Sequence, residues 1–126
     1  AVSAVLAQRL ARRLCSHCAE SYEVTWDELM SLHVDEAVAK KLEGKLFSRK
    51  RGCPRCGQTG YRGRVGVFQL LEMSPKLEQL ASEKASRDVL DAAARSEGMR
   101  TMWEDGIAKV AAGVTTAEEL ARVCTV

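Results

Sequence analysis

Apolar residues recur near the start of the chain at Val2, Val5, Leu6, Leu10 and Leu14, with steps mostly of three and four that place them on one stripe of a helix. This spacing predicts an amphipathic helix over residues 1–14. It has no capping residue of its own, so it is expected to be the tail of an element in a longer protein. Thr25 and Glu28 then form a capping-box pattern ahead of Leu29, Met30 and Leu32. Asp35 stands before Ala37, Val38 and Leu42, and Gly44 follows as a stop. Two short helices are predicted there. After Gly44 the period changes. Leu46 and Phe47 on one side, and Val65, Val67, Phe68, Leu70 and Leu71 on the other, flank a glycine-rich segment that holds Cys53, Cys56, Gly57, Gly60 and Gly63, whose glycines let the backbone turn tightly and donate amides toward the cysteine sulfurs. That pattern reads as strand, tight knuckle, strand.

From Pro75 onward the pattern is helical. Pro75 opens a segment with Leu77 and Leu80, while Ser86 precedes Val89, Leu90, Ala93 and Ala94, and Gly98 ends it. Thr101 with Glu104 and Thr116 with Glu119 make two more capping-box patterns, ahead of Ile107, Val110 and Ala111 and ahead of Leu120 and Val123. Met99, Met102 and Trp103 fall at a helix junction, where irregular gaps need filling, and are assigned to packing. The expected class is α+β, mostly helical: a tetracysteine subdomain with a short β-hairpin, followed by a small C-terminal helical bundle. The expected boundaries are a terminal helix over 1–14, the tetracysteine subdomain over 15–64, and a strand plus helical subdomain over 65–126. An apolar strand over 65–71 without a full sheet invites edge-to-edge pairing, so concentration-dependent self-association is expected of the chain alone.

The chemistry sits in the cysteines. Cys15 and Cys18 form one Cys-x-x-Cys pair, and Cys53 and Cys56 form another. A two-residue gap lets both sulfurs of a pair reach one ion at about 2.3 Å, and two pairs complete a tetrahedron. The four residues are therefore candidate zinc ligands. A filled shell leaves no seat for the water that metal hydrolysis activates, so the site is expected to be structural. The pairs are 34 residues apart, wider than the about 15 to 20 of compact zinc ribbons, so the insert must fold by itself. Two disulfides, unrelated buried thiols or a thioredoxin-like dithiol are the competing readings, the last wanting a βαβ setting for its motif. Cys124 belongs to neither Cys-x-x-Cys motif and is assigned to packing or to a thiol outside the metal set.

A chain of 126 residues supports a modest core that a metal could reinforce. No apolar run approaches the 18 or so residues of a membrane span, and no cleavage signal follows the arginines at 9, 12 and 13, so a cytoplasmic protein is expected. Thiols without a secretion signal fit a reducing compartment. The net charge of +2 conceals segregation, because residues 45–64 hold Lys45, Arg49, Lys50, Arg51, Arg55, Arg62 and Arg64 and no acid. Two readings stand: a nucleic-acid or phosphate-facing patch, or compensation for the net −2 of four thiolates around a divalent ion. Aromatic residues in the patch are few, which disfavours a stacking platform for single strands.

Together these motifs resemble a known family. Gln8-Arg9-Leu10 runs into Leu14-Cys15; then come Gly52-Cys53-Pro54 with Cys56, and Thr59-Gly60-Tyr61 with Gly63-Arg64, Gly66 and Phe68. Gly98-Met99, Thr101-Met102, Asp105-Gly106, Lys109-Val110, Gly113 and Thr115-Thr116 with Glu118 continue the series in order. The whole resembles the C-terminal region of the GspE/PilB family of type II secretion and type IV pilus assembly ATPases. The resemblance implies a parent that is a hexameric, Mg-ATP-driven motor on the cytoplasmic face of the inner membrane, with a zinc-holding tetracysteine insert and closing helices packed on a RecA-like core. Implied partners are the remainder of the ATPase, neighbouring hexamer subunits and inner-membrane platform proteins, with neither nucleic acid nor membrane insertion expected. The Walker A pattern Gly-x-x-x-x-Gly-Lys-Ser/Thr occurs nowhere in the chain, so no catalytic or nucleotide-binding residue is assigned and ATP and Mg belong to the parent. The alternative is a stand-alone zinc-knuckle module for nucleic acid or client polypeptide. Cys53-Pro54-Arg55-Cys56-Gly57 loosely resembles a DnaJ-type zinc repeat but departs from it at Gln58.

Overall fold

Two long antiparallel strands organise the chain in the computed structural model, which describes residues 3–124. Strand β1 (Ala4–Leu14) pairs with a strand whose partners run from Ala4↔Glu72 to Arg12↔Arg64, and a bulge then brings Leu14 opposite Tyr61. The helix expected over residues 1–14 is therefore a strand; Val2 lies outside the described residues. Leu, Arg, Gln and Ala are good helix formers, so local propensity pointed the wrong way. The segment carries no clean period-2 alternation, and long-range pairing with the second strand overrode the local preference. Odd positions share an inner face, where Ala11 and Val67 are fully buried, while Leu6, Leu10, Phe68 and Leu70 share an exposed outer face.

Between the two long strands lies the insert. Strand β2 (Glu20–Glu23), helix α1 (Trp26–Ser31), helix α2 (Glu36–Leu42) and strand β3 (Leu46–Arg49) follow in order. β2 and β3 pair antiparallel from Glu20↔Arg49 to Glu23↔Leu46. Thr25 and Asp35 cap the two helices as expected, accepting from the amides of Glu28 and Ala37. Glu28 leaves its capping box unfinished because its carboxylate accepts the Tyr22 hydroxyl at 2.7 Å. The second long strand, β4 (Tyr61–Glu72), then returns to β1. The strands flanking the knuckle, β3 and β4, are both present but pair with β2 and β1 and not with each other.

The helices that follow divide into two pairs. Helices α3 (Pro75–Ser82) and α4 (Arg87–Ser96) enclose a small cluster of their own around Leu77, Ala93 and Ala94, to which Met99 adds. Helices α5 (Met102–Ala111) and α6 (Ala117–Val123) lie on the inner face of the ribbon. Their Trp103, Ile107, Val110 and Leu120 form one core with Ala11 and Val67 and with Val24, Leu29, Val34, Ala39 and Phe47 of the insert. Met102 packs against this core, and the indole N–H of Trp103 donates to the carbonyl of Leu32 at 2.7 Å. Insert and closing helices are thus joined through one apolar interior. α5 and α6 approach so closely that a Cβ on Gly106 would lie 2.2 Å from Leu120 Cδ1.

Thr101 and Glu104 complete their reciprocal box at α5. At α6 the Thr116 hydroxyl caps the Glu119 amide at 3.0 Å, but the Glu119 carboxylate turns away from the helix end. It is 1% exposed and accepts Arg12 Nη2 at 3.0 Å, Arg12 Nε at 3.1 Å and Arg122 Nε at 2.8 Å. Burial pushes the carboxyl up, but the Arg122 and Arg12 guanidiniums outweigh it and hold the group at about 2. A depressed carboxyl stabilises fully above its unfolded value and loses that contribution only as pH falls towards about 2, so the anchor is complete at neutral pH.

Two substitutions test this interior. Glu119→Gln keeps the shape and removes the charge, and is expected to cost about 2 kcal/mol, read as a lower urea midpoint. An unchanged midpoint would mean that the ribbon holds α6 without this anchor. Gly106→Ala gains about 1 kcal/mol of helix propensity, yet the buried Leu120 leaves no room, and a net loss of about 1–2 kcal/mol is expected. A stabilised Gly106→Ala variant would show that α6 can shift.

Candidate metal centre

Cys15 directly follows the last residue of β1, and Cys18 lies in the turn before β2. Cys53 and Cys56 bracket a single 3₁₀ turn, Pro54–Cys56, between β3 and β4. Two ladders bring the pairs together. The β1–β4 ladder continues into a hydrogen bond from Cys15 N–H to the carbonyl of Gly60 at 2.9 Å. The β2–β3 ladder ends at Glu20↔Arg49, just short of Gly52, whose amide reaches Cys18 Sγ at 3.4 Å. Gly60 must be glycine: its φ is +84° and a Cβ there would lie 2.5 Å from Lys50 Cβ.

All four sulfurs lie within 4.8 Å of one another. Cys15 and Cys53 are 3.8 Å apart, Cys18 and Cys56 3.9 Å, and Cys53 and Cys56 3.7 Å. A tetrahedron with metal–sulfur bonds of about 2.3 Å has edges of about 3.8 Å, so the donor set fits a zinc-sized ion. Cys15, Cys18 and Cys56 are buried and Cys53 is partly so. Backbone amides face the sulfurs, as the glycine-rich knuckle predicts: Gly60 and Cys53 donate to Cys56 Sγ at 3.1 and 3.3 Å. Burial pushes the Cys56 thiol up, but these amides and the neighbouring thiols outweigh it and hold it at about 6. Burial pushes Cys18 up to about 11 despite the Gly52 amide. The two directions suit a cluster in which negative charge concentrates where amides converge, and a bound cation would draw off the remaining protons.

The knuckle is tied to the helical part by its neighbours. Leu14 N–H donates to the carbonyl of Val114 at 2.9 Å, the Thr115 hydroxyl donates to the carbonyl of Arg12 at 2.8 Å, and the hydroxyls of Tyr61 and Thr116 are 2.9 Å apart. Of the basic residues, Lys50 meets Glu118 at 3.4 Å and Arg51 meets Glu20 at 3.5 Å. Arg49 lies over the Tyr22 ring and Arg12 over the Tyr61 ring, each 4.3 Å from the centroid. Cys124 stands apart from the four cysteines and packs against the main core at the end of α6. Sequence reasoning missed the Arg12–Glu119–Arg122 group, because Glu119 carries the signal of a helix cap and nothing local marks its other partners. Among the described residues no helix is long and apolar enough to cross a membrane.

Comparison with known proteins places the site in context. A family model described as "Type II/IV secretion system protein" matches residues 1–122. The chain is 39% identical to the type II secretion system protein HxcR of Pseudomonas aeruginosa over 119 residues, which cover 94% of this chain and 21% of HxcR. It is 36% identical to the type IV pilus assembly ATPase PilB of Thermus thermophilus over 120 residues, 95% of this chain and 13% of that protein. It is 40% identical to the type II secretion system protein E of Pseudomonas aeruginosa over 119 residues, 94% of this chain and 22% of that one. The chain thus spans about a fifth or less of these relatives.

If the four sulfurs share one ion, metal analysis of the purified chain will return one zinc per chain, and Cys53→Ser will release it, since three sulfurs leave the shell open. Chelation should then lower the melting temperature of the native chain and leave that of Cys53→Ser unchanged. Retained stoichiometric zinc in the variant would remove Cys53 from the ligand set.

Proposed function

The chain belongs to the type II/IV secretion system protein family, and from that premise we propose that it is the zinc-stabilised, non-catalytic C-terminal part of a type II secretion or type IV pilus assembly ATPase. It supports the motor and docks partner proteins for secretion or pilus extension. The observation that carries this reading is the closed set of four sulfurs, Cys15, Cys18, Cys53 and Cys56, all within 4.8 Å of one another. A shell of four protein ligands reinforces a fold and offers no position for an activated water. The sequence contains no Walker A loop, which supports assigning ATP and Mg to another part of the parent motor. In this reading the parent is a hexamer at the cytoplasmic side of the inner membrane, reaching the membrane through platform proteins.

Domain roles follow. Residues 15–64 are the tetracysteine subdomain, and 65–126 supply a strand and the closing helices. The exposed outer face of the β1–β4 ribbon, with Leu6 61% and Leu70 47% accessible, is an apolar surface for which the remainder of the ATPase is the proposed cover.

The test uses a full-length motor carrying this region. With Cys53→Ser and Cys56→Ser together, the expected outcome is loss of zinc, of co-purification with the platform protein's cytoplasmic domain, and of secretion or piliation. Isolated hexamers of the same variant should retain measurable ATP hydrolysis. Normal secretion by a zinc-free motor would overturn the supporting role, and abolished hydrolysis in intact, zinc-free hexamers would overturn the non-catalytic one.

A further inference from the structure

The arginines around the knuckle are not consumed by the sulfurs. Compensation of thiolate charge would set guanidiniums against Sγ atoms, but the donors there are the amides of Gly52, Cys53 and Gly60. Arg55, on the turn between Cys53 and Cys56, instead meets Nε2 of His17 at 3.0 Å, on the turn between Cys15 and Cys18. Arg13, at the bulge of β1, and Arg62, near the start of β4, are exposed, and neither forms an ion pair among the described residues. The nearby Glu20 and Glu118 pair with Arg51 and Lys50.

The ladder register and the knuckle turns carry these cations at one end of the ribbon. Leu14 opposite Tyr61 sets Arg13 and Arg62 at the same end of the ribbon, and the Cys15–Gly60 hydrogen bond joins that end to the two turn tips that carry His17 and Arg55. We propose that Arg13, Arg55 and Arg62 form a docking surface for a short acidic polypeptide segment of a partner protein. The proposal rests on the docking role given above and names the chemistry of what docks. Guanidinium forks match carboxylates two hydrogen bonds at a time. A nucleic-acid strand would want aromatic faces beside the cations. Here Tyr61 is buried with Arg12 over its ring, and Tyr22 is covered by Arg49. Three cations also match a few consecutive Asp or Glu side chains better than a long phosphate track.

The experiment measures fluorescence anisotropy of a labelled hexaglutamate peptide against the zinc-loaded 126-residue chain, at low salt and at physiological ionic strength. Binding should weaken with salt and fall about tenfold in Arg55→Glu/Arg62→Glu. It should fall about threefold in Arg55→Gln/Arg62→Gln, and less than about twofold in Lys76→Glu/Arg87→Glu, where the new acids sit in first helical turns that tolerate them. Zinc content and melting temperature, read on every variant, restrict the comparison to folded protein. Absence of peptide binding, equal loss in the control, or tighter binding of a labelled oligothymidylate would overturn the proposal, the last in favour of nucleic acid. A full-length Arg55→Glu/Arg62→Glu motor that still captures its platform protein in a zinc-dependent way would leave the docking role standing and remove this surface from it.

Discussion

The β1–β4 ladder is the constraint on which the rest of the structure hangs. It joins residues from Leu14 and Tyr61 out to Ala4 and Glu72, distant in the chain, and the core, the knuckle and α6 all use its ends or faces. Its inner face supplies Ala11 and Val67 to the core, and its terminus presents Cys15 to Gly60 and hence to the second cysteine pair. The outward amide of Arg12, with its guanidinium, takes hold of Glu119 and so fixes α6. Closing a loop of this length costs entropy before any contact rewards it. The reward is spread over backbone pairing, apolar burial and, once an ion is present, four metal–sulfur bonds. Structural zinc in small domains contributes on the order of 10 kcal/mol at neutral pH, so in the proposed reading an ion would add to the pairing and the burial.

Elements defined by local chemistry were legible in the sequence. Capping residues fixed the starts of α1, α2, α4, α5 and α6, because a hydroxyl or carboxylate three residues or fewer from an unpaired amide acts without reference to the fold. Two Cys-x-x-Cys pairs marked the site because the chemistry of a tetrahedral ion dictates the two-residue gap. What escaped was set by partners distant in sequence. The first segment is rich in helix formers, and only the presence of β4 turns it into a strand. Glu119 and Glu28 each carry a cap signature, and each gives its carboxylate to something else: two arginines in one case, a tyrosine hydroxyl in the other. A local signal names what a residue can do, and tertiary competition decides what it does.

The same competition bears on how the knuckle communicates with the helices. The insert does not hang from the chain as an independent finger, because Phe47, Leu29 and Val24 share their interior with Trp103 and Val110. The Trp103–Leu32 hydrogen bond and the Tyr61–Thr116 pair add directional ties across that boundary. In the proposed reading, loss of the ion would free the two knuckle turns, and through Leu14 and Tyr61 the loop between α5 and α6 would lose its supports. On that reading the stability and position of the closing helices are linked to the cysteines although neither α5 nor α6 carries one of the four.

A metal held by all four sulfurs would have no open position for bond-making chemistry, so the contribution proposed for it is mechanical. In the proposed reading an ion would pin both turns and so fix the backbone under Arg55, while the β1–β4 ladder holds Arg13 and Arg62, and a partner that engages these side chains need not order the segments that carry them. Loop ordering is one of the main costs of association, and a pre-formed surface avoids it. Exposed ion pairs are individually weak, which makes such rigidity decisive for a basic rim of only three arginines. A flexible glycine-rich knuckle with the same charges would bind an acidic segment poorly. In the proposed reading the metal site and the outward-facing cations are two halves of one device: the sulfurs would supply order, and the guanidiniums, left out of the sulfur shell by the backbone amides, would supply recognition.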